Sequence, residues 1–332
     1  MTLVETRVLE GFDAPTFPAE QWDKLLGSGA TDVVFLTRQW QRAWWETLGR
    51  GDLLLIAAER DGQVVAVAPL YAHAGMVYLV GADDADSLDL LGEGGDAEVL
   101  AAILETARAR VPGFLGFELE PVPETSPTTR ALAAAADRLG LSCIDHWGES
   151  AVAPQLELRG RPAVGRAAVN KQSLRRHEAR LRRGGPVEVV HLREGPAILP
   201  HLEAFFEQHV ARWAATPTPS FFGWPRVRAF YRRLTELAGE SGWLRFTRLD
   251  WNGQAVAFHF GFCYRGSYLW HKPSFAVELA RRSPGEVLLR HLLLAALDEG
   301  VHSFEFGLGS EPFKLRFATG ANHVRKWGLY PQ

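Results

Sequence analysis

The spacing of apolar residues changes period along the chain, and each change marks an element. Apolar runs at 53–60 ("LLLIAAER") and 63–72 ("QVVAVAPLYA") flank Asp61-Gly62. A turn pair of that kind between two apolar runs predicts a β-hairpin. Further on, "LRFTRLD", "QAVAFHFGFC" and "SYLWHK" (244–272) are separated by Asn252-Gly253 and Arg265-Gly266, which predicts a three-strand meander. Helical spacing covers 38–49, 94–110, 225–239 and 284–299, and strands are expected at 114–120 and 302–307. The fold class is therefore α+β, with mixed, mostly antiparallel sheets flanked by helices.

This order of elements occurs twice. Ala43 stands against Ala229, Gly62 against Gly253, Tyr78 against Tyr268, Gly95 against Gly285 and Glu118 against Glu305, in one order and at nearly constant separation. Self-similarity at a fixed spacing is the mark of a duplicated unit. The expected domains are 1–158 and 186–332, joined by 159–185.

The joining segment, "RGRPAVGRAAVNKQSLRRHEARLRRGG", holds nine Lys or Arg and one acid, Glu178, between Arg159 and Arg183. A thin stripe of Ala167, Val169, Leu174 and Leu181 predicts one basic helix that stops at Gly184-Gly185. Such a helix is either a solvated connector or a surface for the phosphates of a cofactor, a lipid carrier or RNA. The whole chain carries a formal charge of −3, which excludes a general nucleic-acid binder. Its 332 residues are 47% hydrophobic and 23% charged, a globular composition. Cys143 and Cys263, the only cysteines, lie in apolar stretches, so neither a disulfide framework nor a Cys-based zinc site is expected, and a reducing cytoplasm fits. No apolar run is long enough to span a bilayer, and the first residues lack a signal-peptide core. No His-x-x-x-His, paired-Asp or Cys cluster points to a metal, and none is expected.

One stretch carries candidate chemistry: "RRSPGEVLLRHLLLAAL", from Arg281 to Leu297. Ser283 suits an N-cap, Pro284 suits the first helical position, and Ser283-x-x-Glu286 reads as a capping box. That explains the stretch without a ligand. Three features point to an anion: Gly285 removes a side chain from the first turn, the helix start offers free N–H groups, and two arginines precede it. The Glu286 charge argues against a phosphate there.

Arg282-Ser283-Pro284-Gly285-Glu286-Val287 resembles the Arg/Gln-x-x-Gly-x-Gly/Ala loop of the GNAT acyltransferase superfamily, whose backbone holds the pyrophosphate of acyl-CoA. Val287 departs from the small residue usual at the last place. The longer stretch 268–318, with "FFEQHVARW" (205–213), "SFF" (220–222) and "FLTRQWQRAWWETLG" (35–49), resembles the double-GNAT family called CelD or BioF2-like, which is related to Fem-type peptidyl transferases. The resemblance implies tandem GNAT-like domains, acetyl-CoA or another acyl-CoA as donor, and direct attack by an acceptor amine. It also implies that strand 266–272 donates a backbone N–H to the thioester carbonyl. Lys314 falls on the lysine of the family's Tyr/Phe-Lys pair, with an oxyanion-stabilising role. Glu305 stands where Asp is usual, Phe313 where Tyr is common, and Ala276 where an acid is frequent.

Alternation along "SFEFG" puts Glu305 opposite Phe304 and Phe306. On a cleft face, a partly desolvated Glu305 would titrate high and could act as a base. His271 ends the strand near the expected thioester and is a further candidate, whereas Glu311 reads as a loop acid. His209 and Arg212, three apart on one helix face, and Phe222 are candidate acceptor contacts. The first copy has acids ("DLLGEGGDAEV") where the second has Arg282, so only the C-terminal copy is expected to hold the donor. The resulting expectation is a cytoplasmic acyl-CoA-dependent N-acyltransferase. Its acceptor would be an amine on a sugar, amino acid or cell-envelope or exopolysaccharide precursor. The alternatives are Fem-like transfer from aminoacyl-tRNA, with 159–183 on the RNA, and a non-catalytic scaffold.

Overall fold

Four tight turns organise the strands. Asp61-Gly62, Ala74-Gly75, Asn252-Gly253 and Arg265-Gly266 all have positive φ at both residues, the geometry that matches the natural twist of a two-residue hairpin. In a computed structural model that describes residues 3–146, 151–216 and 218–332, the chain forms two compact units. One comprises Met1–Val152 with Asn322–Gln332, the other Ala153–Ala321.

The first unit runs β1 (Glu5–Leu9), α1 (Ala19–Ser28), α2 (Arg38–Leu48), β2 (Asp52–Arg60), β3 (Gln63–His73), β4 (Met76–Leu79), β5 (Leu91–Gly92), α3 (Ala97–Ala109), β6 (Gly116–Pro123), α4 (Pro127–Arg138) and β7 (Leu141–Asp145). The second runs β8 (Ala151–Glu157), α5 (Pro162–Val169), α6 (Gln172–Arg183), β9 (Val187–Leu192), α7 (Gly195–Ile198), α8 (Leu202–Trp213), α9 (Pro225–Leu237), β10 (Leu244–Trp251), β11 (Gln254–Tyr264), β12 (Ser267–Phe275), α10 (Pro284–Asp298), β13 (Ser303–Glu305) and α11 (Pro312–Leu315). The last strand, β14 (Gly320–Pro331), pairs with β6 and β7 of the first unit. In the second unit β8 pairs with β13. The units therefore depart from the expected divisions at 158 and 185.

The two copies agree in detail. β2–β3–β4 and β10–β11–β12 are antiparallel meanders, each followed by a helix and a parallel strand. Each first hairpin even carries a register shift at the same place, after Ala58 and after Leu249. One expected match is corrected. Tyr78 pairs with Glu118, but Glu305 pairs with Leu269, so Tyr268 corresponds to Val77. A slip of one residue changes the face of the sheet. Val77 and Tyr268 are both fully buried, whereas Tyr78 stacks on Tyr71 with ring centroids 5.2 Å apart.

In the second unit, α10 and α6 cover one face of the sheet, over Leu249, Tyr268, Trp270 and Phe304. The other face packs Phe246, Phe258 and Phe260 on Phe205 of α8 and Tyr231 of α9. The basic segment is two helices, not one: the chain turns extended at Lys171 (ψ 132°) before α6 begins. Leu174 and Leu181 are fully buried, each burial contributing about 2 kcal/mol. Glu178, the segment's only acid, is buried beside them, 2.5 Å from Arg290, 2.8 Å from Arg182 and 3.2 Å from His291. Burial opposes its ionisation, but Arg182, His291 and Arg290 outweigh that and hold its carboxyl below the ordinary range.

Candidate functional site

Strands β12 and β13 run parallel for three pairs, from Ser267–Ser303 to Leu269–Glu305. There β13 ends, while β12 continues to Phe275, so the strands part at their C-terminal ends, the usual place for a ligand crevice. At the same point β12 bulges against β11: Leu269 faces Phe262 and Lys272 faces Phe260, leaving Trp270 and His271 opposite Gly261.

Gly261 is required there. A Cβ on it would lie 2.3 Å from the ring of His259 and 2.4 Å from the Leu269 carbonyl oxygen. The His259 ring fills the bulge, and its Nε2 accepts the His271 backbone N–H at 3.3 Å. The other ring nitrogen, Nδ1, is buried without a hydrogen-bond partner. Burial, then the neighbouring His271, pushes the His259 pKa down to about 3. The His271 N–H is thus committed to His259 and is not the amide left for a thioester carbonyl.

The ring of His271 leaves the strand on the α9 face, where its Nε2 lies 2.8 Å from the Tyr231 hydroxyl. Leu269, the register partner of Glu305, shares that face, and the Ser267 hydroxyl donates to the Glu305 carboxylate. Phe304 and Phe306 are buried on the opposite side, as alternation requires. Two sequence-predicted residues, His271 and Glu305, therefore share one face beside the parting strands. Tyr231, hidden in an ordinary helical apolar pattern, joins them.

The start of α10 differs from the expectation. Ser283 adopts left-handed dihedrals (φ 57°, ψ 46°) and caps nothing with its side chain. Its carbonyl accepts the N–H groups of Glu286 and Val287, and Pro284 has none, which leaves Gly285 as the first-turn amide without a backbone acceptor. There is no capping box. Glu286 turns instead to Nδ1 of His177 and to the Arg316 guanidinium, each at 2.8 Å. The carboxylate that argued against an anion is thereby engaged by the Arg316 guanidinium and the His177 ring, which the local motif did not reveal. Val287 points into the core and is fully buried, so it takes no room from the loop. Gly285 lets the end of β12 approach: a Cβ there would meet the Phe275 ring at 3.0 Å. Arg282 lies over the Trp251 ring, 4.7 Å from its centroid, beside Gly184 at the end of α6.

The corresponding helix in the first unit is closed to anions. Asp96 caps α3, accepting from Glu98 at 2.8 Å and Val99 at 3.3 Å, and Arg60 holds Asp96 at 2.8 Å. Arg60 is the main reason that the Asp96 carboxyl titrates below its ordinary value.

Lys314 is buried in its own loop. Its Nζ donates to the Leu308 and Gly307 carbonyls and lies 2.9 Å from Glu311. Glu311, read from sequence as a loop acid, is the group holding it. Phe222 and His209 are corrected from acceptor contacts to core residues. Phe222 packs 4.7 Å from Phe206 and 4.9 Å from Tyr231, and His209 is bonded to Ser220 at 2.8 Å. Arg212 lies 4.5 Å from the centroid of Phe275, the ring that also abuts Gly285.

The buried histidines set an acid limit. Burial, aided by Lys272 and His271, also lowers His209 to about 3. An unfolded histidine takes up its proton near pH 6.5, whereas these two refuse it until about pH 3. Their contribution is complete above about pH 6.5 and is lost as pH falls toward 3. Burial also lowers His191, His201 and His291, so the urea midpoint should decline below about pH 6 with a slope of at least two protons. His209→Gln should reduce that slope by about one proton, and an unchanged slope would show that His209 is not held neutral.

Residues 168–315 match the sequence profile of the acetyltransferase (GNAT) domain. Among solved structures the chain is similar to FemX, with TM-score 0.64, 11% identity, and coverage of 98% of this chain and 97% of that one. It is similar to L-PGS from Bacillus licheniformis (TM-score 0.56, 13% identity, 95% and 92% covered). It is also similar to a tandem GNAT protein from the clavulanic acid biosynthesis pathway (TM-score 0.51, 14% identity, 99% of each chain). No curated protein sequence matches it. Residues 168–315 carry the match to the acetyltransferase (GNAT) domain. The fold of the chain is the double-GNAT, Fem-related one.

Proposed function

We propose that this protein is an acyl-CoA-dependent N-acyltransferase of the CelD/BioF2-like kind, with its donor site in the second unit. The observation that carries this reading is the uncapped start of α10: a free Gly285 N–H, Arg282 nearby, and Glu286 matched by His177 and Arg316. An uncapped helix start favours negative charge, here a pyrophosphate. The thioester would then lie between β12 and β13. The acceptor amine attacks the thioester carbonyl carbon, the C–N bond forms, and the C–S bond breaks to release CoA thiolate, which takes up a proton. Glu305, or His271 steadied by Tyr231, removes the proton from the amine. Lys314, released from Glu311, stabilises the oxyanion. Holding both reactants in place supplies much of the rate. The acceptor is an amine on a sugar, an amino acid or an envelope precursor.

Calorimetric titration of acetyl-CoA and CoA tests this. Wild-type protein should bind with micromolar affinity, and Gly285→Trp should abolish binding, because its side chain must displace Phe275 or fill the loop. A second reading, aminoacyl transfer from tRNA, draws on the likeness to FemX and the exposed basic helix α6. tRNA binding with steep salt dependence and no CoA binding would replace the first reading by the second.

A further inference from the structure

We propose that the exposed flank of α6 is a subsite for the 3′-phosphoadenosine end of the donor, with Arg176, Arg180 and Arg183 as its phosphate ligands. This rests on the acyl-CoA reading of the adjoining helix start. The three arginines follow i, i+4, i+7 spacing and form one stripe along the helix. All three are exposed, and among the described residues no carboxylate pairs with them. Arg182, on the other flank, is engaged by Glu178.

Three contacts fix where the stripe lies. Glu178 meets Arg290, His177 meets Glu286, and Gly184 abuts Arg282, so α6 runs antiparallel to α10 and its basic end lies beside the donor loop. The stripe lies on the side of α6 turned away from the buried Leu174, Glu178 and Leu181, and Arg180, three residues from His177, is its member nearest Glu286. Glu286 is already matched by His177 and Arg316, so it does not cancel the stripe.

Like charges at this spacing repel one another in the free helix. A phosphomonoester dianion relieves that repulsion, and guanidinium forks suit its oxygens. The scale is that of one nucleotide: α6 has 12 residues, about 18 Å of helix. The field is also local, because the chain as a whole is at −3.

The test compares CoA with 3′-dephospho-CoA by calorimetry, on wild-type protein and on Arg176→Gln/Arg180→Gln/Arg183→Gln. These exposed positions keep good helix formers in the variant. Wild-type protein should bind CoA about tenfold more tightly than 3′-dephospho-CoA, and the triple variant should bind the two within about twofold. Equal binding of both by wild-type protein, or discrimination retained in the variant, overturns this inference and leaves the donor site standing. Binding of neither overturns the donor reading and the subsite together. Loss of tRNA binding in the variant, with CoA discrimination unchanged, assigns the stripe to RNA instead.

Discussion

Gly261→Ala is expected to be among the most damaging single changes in the second unit. The added methyl group would sit 2.4 Å from a backbone oxygen, Leu269 O, as well as 2.3 Å from the His259 ring. A side chain can rotate away, but the strand carbonyl cannot move without reshaping the bulge. Overpacking of this kind costs about 3 kcal/mol. It should appear as a lower urea midpoint at unchanged slope. Because the bulge lies where β12 and β13 part, acetyl-CoA binding should fall with it. In Gly261→Ala/His259→Ala the ring clash is gone and the carbonyl clash remains, so only part of the stability should return. A loss below about 1 kcal/mol in the single variant would show that the bulge yields easily and that Gly261 is not its determinant.

Lys314→Met should lower kcat by about a hundredfold, the usual effect of removing an oxyanion donor, with the acetyl-CoA Kd nearly unchanged. The two effects separate because the Lys314 Nζ is held by the Leu308 and Gly307 carbonyls and not at the start of α10, where the phosphates are proposed to bind. Some stability is also lost, about 1–2 kcal/mol, since the Leu308 and Gly307 carbonyls lose their donor. Glu311→Gln distinguishes catalysis from loop stapling. It weakens the hold on Nζ without removing the lysine, so kcat should be kept or should rise. If Lys314→Met loses stability but not kcat, and Glu311→Gln behaves alike, Lys314 is a loop staple alone.

Much of the fold was legible because the residues concerned have few alternatives. Asp61-Gly62 and Asn252-Gly253 sit at positive φ, where glycine and short polar residues are favoured, so the hairpins could be read directly. The helix start at Arg282 to Gly285 was legible as a place, but its local bonding was not. Ser283-x-x-Glu286 satisfies the local rule for a capping box. In the folded chain the Arg316 guanidinium and the His177 ring bond Glu286, and those side chains win over one backbone N–H. Phe222 and His209 were misplaced for a related reason: an aromatic cluster reads the same whether it lines a site or fills a core. His259 gave no signal beyond its alternation, since its role depends on a bulge formed by the strand beside it.

The sequence by itself determined the duplication, the order of elements in each copy, and the asymmetry between a helix start led by Arg282 and one led by acids. These follow from turn chemistry and hydrophobic period, which act over a few residues. Tertiary structure alone decided which carboxylates are matched, that Lys314 is held by Glu311, and that His271 and Glu305 share a face with Tyr231. It also decided that β14 pairs with β6 and that β8 pairs with β13. Partners far apart in the chain are chosen by packing, and the energies that choose them exist only once the chain has folded.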